Sequence, residues 1–239
     1  MKTGLFIPCL VDQFFPDTGI ALVKLLKKAG IDFEYPYEQT CCGQPAYNTG
    51  YQNETIPIAK RFIDIFIKYD YVVAPSGSCL SMVKVNYPKL EFDEHYKKLA
   101  NELSAKVFEF SDFFVNVKKI TDFDSGFKGK VTYHDACHLL RELNIKDEPR
   151  VLMSKVKGLE LVESENHDKC CGFGGTFSVK YQGLSDSMGL DKADGIIKSG
   201  ADYVVANDNS CLMQIQDSLL KKNSKIKTIH LAELLAEGL

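Results

Sequence analysis

The apolar positions of this chain fall into short continuous runs separated by longer amphipathic stretches, and the order of the two repeats. Residues 4–8 form an apolar run of strand length, whereas 20–28 carry apolar residues at helical spacing and stop before Gly30. Glycine there suits the positive φ of a helix C-terminus. Residues 31–35 alternate as a half-buried strand, 56–69 read as a helix, and 71–74 are rich in β-branched and aromatic residues. The second half repeats the order: strand 130–134, helix 150–157 stopped near Gly158, strand 159–162, helix 184–198 and strand 203–206. Strands alternating with helices predict an α/β fold of parallel sheets with right-handed crossovers, built here as two tandem, duplicated Rossmann-like units. The polar, glycine-containing stretch 117–130 reads as the join, which gives units at 1–118 and 119–239.

Eight cysteines are laid onto this frame in the same duplicated way. Cys9, Cys41, Cys42 and Cys79 occupy the first half, and Cys137, Cys170, Cys171 and Cys211 the second, at offsets of 128, 129, 129 and 132 residues. Their surroundings repeat as well. Residues 70–79 and 202–211 are identical at seven of ten positions, which makes two lone cysteines, Cys79 and Cys211, members of one pattern. Each cysteine pair is followed by a glycine, Gly43 or Gly172, and 108–114 matches 229–235 in its alternation of apolar and polar residues. Any single cysteine could be core filling. A set that repeats at this spacing describes a duplicated unit of about 110–120 residues. Every cysteine follows a predicted strand, and in parallel sheets ligands bind beyond the carboxyl ends of the strands, so four thiols per half are expected to converge there.

Four converging thiolates suit tetrahedral zinc or an iron–sulfur cluster. The adjacent pairs Cys41–Cys42 and Cys170–Cys171 favour the cluster, because neighbouring thiolates reach different metal atoms of a wide cluster more easily than one small ion. The expected cofactor is therefore an iron–sulfur cluster in each half, with zinc as the alternative. Gly43, Gly172, Gly174 and Gly175 would let the backbone approach closely. There is no C-x₂-C-x₂-C-x₃-C run and no G-x-G-x-x-G after a strand. A ferredoxin module and a dinucleotide site are thus not expected, and electrons would have to pass through a partner.

Composition narrows the classes further. Lys and Arg number 29 against 32 Asp and Glu, a net charge of -3, which gives no basic excess for nucleic acid. A hydrophobic share of 45% and a charged share of 26% fit a globular chain rather than a disordered one. No apolar stretch approaches the roughly 18 residues of a membrane helix, and no secretory leader is evident, so a cytoplasmic protein with reduced thiols is expected. Beside Cys137 lie His138 and Arg141, with His134 before them; a base and an arginine would suit a 2-hydroxy acid, although a solvated arginine and a histidine ordering the loop is the favoured reading. His95 and His167 read as polar surface, the basic stretch 221–227 as a solvated helix end, and Phe108, Phe110, Phe113 and Phe114 as core or contact surface.

The repeated Cys…Cys-Cys-Gly…Cys arrangement, with 135–138 and 170–177, resembles the CCG (cysteine-rich) domain family of iron–sulfur oxidoreductase subunits. The cysteine-rich subunit of heterodisulfide reductase and the glycolate oxidase iron–sulfur subunit belong to that family. The likeness covers the whole chain as two tandem domains with nothing appended, and in this the chain most resembles the family's lactate-utilisation branch. The resemblance implies an oxidoreductase subunit, inactive without its partners, in a complex oxidising L-lactate to pyruvate. It implies [4Fe-4S]-type clusters on the two cysteine sets, and other subunits of a lactate-utilisation complex, including a larger iron–sulfur protein. In the heterodisulfide reductase member each domain has a C-x-x-C element, and this chain has Ser76 and Asp208 where the upstream cysteines would stand. That departure leaves open a four-thiol cluster in each half, Asp208 as an extra oxygen ligand, or loss of one cluster. It weakens a non-cubane cluster and the disulfide reduction tied to it; reduction of a disulfide at a cluster and a zinc-stabilised scaffold without catalysis remain the alternative functions.

Overall fold

The computed structural model describes residues 1–239. In the first half β1 (Thr3–Leu5), α1 (Cys9–Phe14), α2 (Pro16–Lys28), β2 (Phe33–Glu34), α3 (Gln44–Asn48), α4 (Gln52–Phe66), β3 (Tyr71–Ala74), α5 (Gly77–Ser81), α6 (Glu94–Ser104), β4 (Val107–Glu109) and α7 (Phe110–Asp112) follow one another. Wide π-type turns prolong α5 over Met82–Asn86 and α7 over Phe113–Lys118. The second half runs β5 (Gly126–Tyr133), α8 (Cys137–Arg141), α9 (Asp147–Met153), β6 (Lys157–Leu161), α10 (Thr176–Lys180), α11 (Gln182–Ser199), β7 (Tyr203–Ala206), α12 (Asn209–Lys221), β8 (Lys227–His230) and α13 (Leu231–Leu235). No helix is long and apolar enough to cross a membrane.

The fold is α/β with two parallel four-stranded sheets of the same topology, ordered β2-β1-β3-β4 and β6-β5-β7-β8. The central strands are in matching register, Leu5 beside Val73 in one sheet and Tyr133 beside Val205 in the other. In each sheet the strand order reverses between the two central strands, so their carboxyl ends open a crevice at that point.

Local chemistry explains most of the elements. Pro16 opens α2, where its missing N–H costs nothing, and Gly30 follows the helix end at φ 67°. β3 and β7 occupy the two β-branched runs. Other boundaries differ from the sequence pattern. α4 begins at Gln52, before the apolar run, because the Tyr51 carbonyl accepts from both the backbone and the hydroxyl of Thr55, and the helix absorbs Pro57. α9 ends at Met153, since residues from Lys157 onward are already paired with β5. β5 starts at Gly126, earlier than the apolar run, across a register shift between Gly126 and Gly129.

The largest core lies between the two sheets and takes residues from both: Leu5 and Val73 from one, Val131, Tyr133 and Val205 from the other. α2 packs against α13, and α9 packs against α7 and its π-turn extension, so each half covers the other's helices in a pseudo-symmetric way. Phe110, Phe113 and Phe114 are fully buried in this layer. Burial of each such ring contributes about 1.5–3 kcal/mol. Two outer cores complete the molecule, one built on Phe6, Phe62 and Phe66 and the other on Ala193, Ile196 and Ile215.

Candidate metal centre

The loops that leave the sheets at their carboxyl ends carry the cysteines. Cys9 and Cys137 are the first residues of α1 and α8, the turns that follow β1 and β5. Cys41–Cys42 and Cys170–Cys171 precede sharp turns at Gly43 (φ 82°) and Gly172 (φ 90°). In each turn the glycine N–H donates back to the first sulfur of the pair, Cys41 Sγ or Cys170 Sγ, at 3.4 Å. Cys79 lies in the first turn of α5, where Ser76 caps the helix by accepting from the Cys79 N–H. Cys211 lies in the first turn of α12, after Asp208.

Within each half the cysteines are free thiols close enough to perturb one another. Cys41 interacts with Cys9 and Cys42, and Cys42 with Cys79. Cys170 interacts in the same way with Cys137 and Cys171, and Cys171 with Cys211. Hydrogen bonds from Cys42 and Cys9 pull the Cys41 thiol down to about 3, and those from Cys137 and Cys171 pull Cys170 down to about 2. The donors move the opposite way. Bonding to Cys41 raises Cys9 and Cys42, and bonding to Cys170 raises Cys137 and Cys171, with burial adding to both. The first sulfur of each pair is thus favoured as the thiolate and its neighbours as thiols, and a cation among them would let more of the set be anionic. Two packed groups of soft sulfur donors fit zinc or an iron–sulfur cluster, and no hard-ion site.

Both sets open on one cavity of ≈ 460 Å³ between the halves, lined by all eight cysteines with Leu10, Val11 and Phe173. Phe14, 70% exposed, and Val179, 83% exposed, stand at its edge. Hydrogen bonds between the halves hold the cavity's walls together. The Asp208 carboxylate, 2% exposed, accepts from Ser76 Oγ and Ser78 Oγ at 2.8 Å each and from the Ser78 N–H at 3.1 Å. Burial pushes this carboxyl up, against the lowering effect of those bonds. Thr49 and Thr176 hydroxyls meet at 3.0 Å, and Ser81 bonds to Glu142. Gly77 lets α5 pack onto Leu139 of α8, because a Cβ there would lie 2.7 Å from Leu139 Cδ1.

The residues singled out from sequence are distributed unevenly. All eight cysteines and Asp208 line the cavity, and Asp208 is engaged with the two serines across it. His138 lines the cavity as well, with Nδ1 3.7 Å from Cys137 Sγ. Arg141 is not among the lining residues; its guanidinium donates to the Asp168 carbonyl at 3.2 Å. The structure therefore does not bring His138 and Arg141 together over a common substrate position. His167, expected on polar surface, is part-buried and 2.6 Å from Asp135. Asp135 also holds both arms of Arg150 at 2.8 Å. Burial would raise the Asp135 carboxyl, but Arg150 and His167 outweigh it and keep it below its usual range. This network anchors the loop that carries Cys137. Sequence reading passed over it because Arg150 lies fifteen positions from Asp135. Behind the second set sit two further buried residues, His134 and Lys192, each 1% exposed.

Known proteins resemble this chain. The model of the CCG family, a cysteine-rich domain, matches residues 3–84 and 131–216. Lactate utilization protein A of Halalkalibacterium halodurans is 45% identical over 98% of this chain and 96% of its own length. Lactate utilization protein A of an Exiguobacterium species is 46% identical over 99% of this chain and 98% of its own. Among solved structures, a hypothetical protein from Helicobacter pylori shares the fold at a TM-score of 0.59 with 14% identity, covering 100% of this chain and 49% of that one. The chain spans about half the length of that solved protein.

Proposed function

The chain belongs to the CCG cysteine-rich domain family, and from that membership we propose that it is the iron–sulfur subunit of a multi-subunit complex oxidising L-lactate to pyruvate. Residues 1–118 and 119–239 act as two CCG domains. Cys9, Cys41, Cys42 and Cys79 hold one cluster, and Cys137, Cys170, Cys171 and Cys211 the other. A [4Fe-4S] cluster, when bound, supplies one-electron transfer. The chain's own residues do the rest. The Gly43 and Gly172 N–H groups steady Cys41 and Cys170, and hydrogen bonds to ligand sulfur tune such centres. Asp208 is spent on Ser76 and Ser78, so it ties the halves together rather than serving as a ligand.

One observation carries this reading: two sets of four thiols, on equivalent turns of a duplicated fold, line one cavity. The names of the relatives direct it to lactate. Exposed Phe14 and Val179 at the cavity edge are suited to cover by another subunit, such as a larger iron–sulfur protein. A deletion strain complemented with wild-type chain should grow on L-lactate, and complementation with Cys42→Ser or Cys171→Ser should fail. Normal growth of the deletion strain on L-lactate would remove the lactate assignment and leave the metal centre to be explained otherwise.

A further inference from the structure

The two halves differ at two positions directly behind the thiols. After β1 the chain continues into Phe6, whose N–H donates to the Val73 carbonyl at 2.9 Å; after β5 it continues into His134, whose N–H donates to Val205 at 2.8 Å. These are the same place in the two sheets. Phe6 is packed edge-on against Phe62 at 4.8 Å and Phe66 at 5.6 Å between ring centres. His134 has no such wall. The helices that follow the glycine turns share one register, since Gly43 faces Thr55 and Ile58 as Gly172 faces Ser185 and Met188. That register puts Lys192 where Phe62 stands. The Lys192 amine donates to the carbonyls of Asn166 and His167.

His134 is 1% exposed, and neither ring nitrogen makes a well-directed hydrogen bond: the His167 carbonyl beside it is already taken by the Asp135 N–H and the Lys192 amine. A buried polar group without a partner is unfavourable, and the usual explanation is a group that meets it in the working protein. One ring nitrogen, Cys171 Sγ and Cys211 Sγ all lie within 4.8 Å of one another. Imidazole and thiolate together are a common donor set for zinc and iron, and His₂ replaces Cys₂ on one iron of some clusters.

We propose that His134 supplies a nitrogen donor to the metal centre of the second half, which makes that centre mixed thiolate–imidazole where the first is thiolate alone. The neutral imidazole donates a lone pair to the metal, and no proton or electron is transferred in the step. This rests on the reading that the cysteines hold a metal centre. The nearest rival is His138, partly exposed and 3.7 Å from Cys137 Sγ.

The test is pulsed paramagnetic resonance on anaerobically purified, reduced protein carrying ¹⁵N-imidazole histidine. A nitrogen coupling that responds to the label is expected in one of two centres. It should disappear in His134→Phe, which installs the residue the first half already accommodates, and persist in His138→Gln. His134→Asn serves the same purpose if the phenylalanine variant does not fold, and the wild-type labelling result needs no variant. Iron in both halves with no histidine coupling overturns this proposal and leaves the reading of the cysteines intact, as does a coupling that survives in His134→Phe or His134→Asn. Protein that takes up no metal in either half overturns both.

Discussion

Laid over one another, the two halves have the same strand order, the same thiol positions and the same N–H···S turn, but they are built from opposite materials behind the sulfurs. The first set is backed by Phe6 and Phe62 in T-shaped contact, the second by His134 and Lys192, both buried. A second contrast lies further from the sulfurs. Glu109 and His230 occupy the same place at the end of the fourth strand, and each caps the following helix, Glu109 by accepting from Ser111 N–H and His230 from Ala232 N–H. Duplication therefore kept the thiols and their turns and changed the residues that stand behind them. Because a cluster's potential responds to nearby charge and hydrogen bonding, clusters held on these like turns in unlike settings would be two unlike centres.

The comparison can be broken or sharpened by substitution. The largest expected effect is at the glycine turns. Gly172→Ala puts a Cβ 2.7 Å from the Ser185 carbonyl and 2.9 Å from Met188 Cβ, at positive φ, whereas Gly43→Ala meets only side-chain methyls at 3.3 and 3.4 Å. Chemical denaturation should show a loss of about 3–4 kcal/mol for the former and about 1–2 kcal/mol for the latter, from overpacking and positive-φ strain. Equal losses would mean that the turns are interchangeable.

Next comes Asp208→Ala, which strands the donors of Ser76 and Ser78 on the opposite half. It should cost about 2–3 kcal/mol in the same assay while iron content stays at the wild-type level. Loss of iron from the second half alone would return Asp208 to the ligand set.

A smaller effect follows from the two caps. Burial pushes the Glu109 carboxyl up to about 8, above its ordinary 4.5, against bonds from Ser111 and Asn207. The native state therefore keeps a proton that the unfolded chain has released, and the stabilisation is full below pH 4.5 and lost as pH rises through about 8. Burial pushes His230 down to about 4 from 6.5, so its contribution is full above pH 6.5 and lost as pH falls through about 4. Melting temperature should fall between pH 6.5 and 8 in the wild type, and Glu109→Gln should flatten that limb. His230→Asn should flatten only the acid limb. A wild-type profile level from pH 6.5 to 8 would remove Glu109 as a titrating cap.

The smallest effect is electronic. In a potentiometric titration, Lys192→Met should lower the potential of one centre and leave the other unmoved, because the cationic amine lies behind one set only. Two centres shifting together would contradict the separation.

Much of this was legible in the chain itself, for identifiable reasons. β3 and β7 were readable to the residue because they are β-branched runs buried on both faces. The matching of 108–114 with 229–235 marked the two stretches as equivalent, and each proves to be a strand running into a helix, β4 with α7 and β8 with α13. α6 and α12 went unread, since their polar faces interrupt any continuous apolar signal. The cysteines were legible as a set because the repeat supplied eight positions at once. Asp208 was legible as a position but not as a tie, because its serines lie in the other half. His134 was legible as a candidate base but not as a buried neighbour of the sulfurs, and Lys192 was not legible at all. A histidine ending a strand and a lysine within a helix look solvated until burial is known. Their signal was available only in the aligned repeat, where a polar residue stands opposite Phe6 and another opposite Phe62.

The most direct measurement is iron and acid-labile sulfide in anaerobically purified wild-type, Cys42→Ser and Cys171→Ser proteins. Two independent centres predict about four irons and four sulfides per half in the wild type, and about half the total in either variant. Loss of all iron in either variant, or a wild type carrying stoichiometric zinc without sulfide, would contradict two separately held clusters.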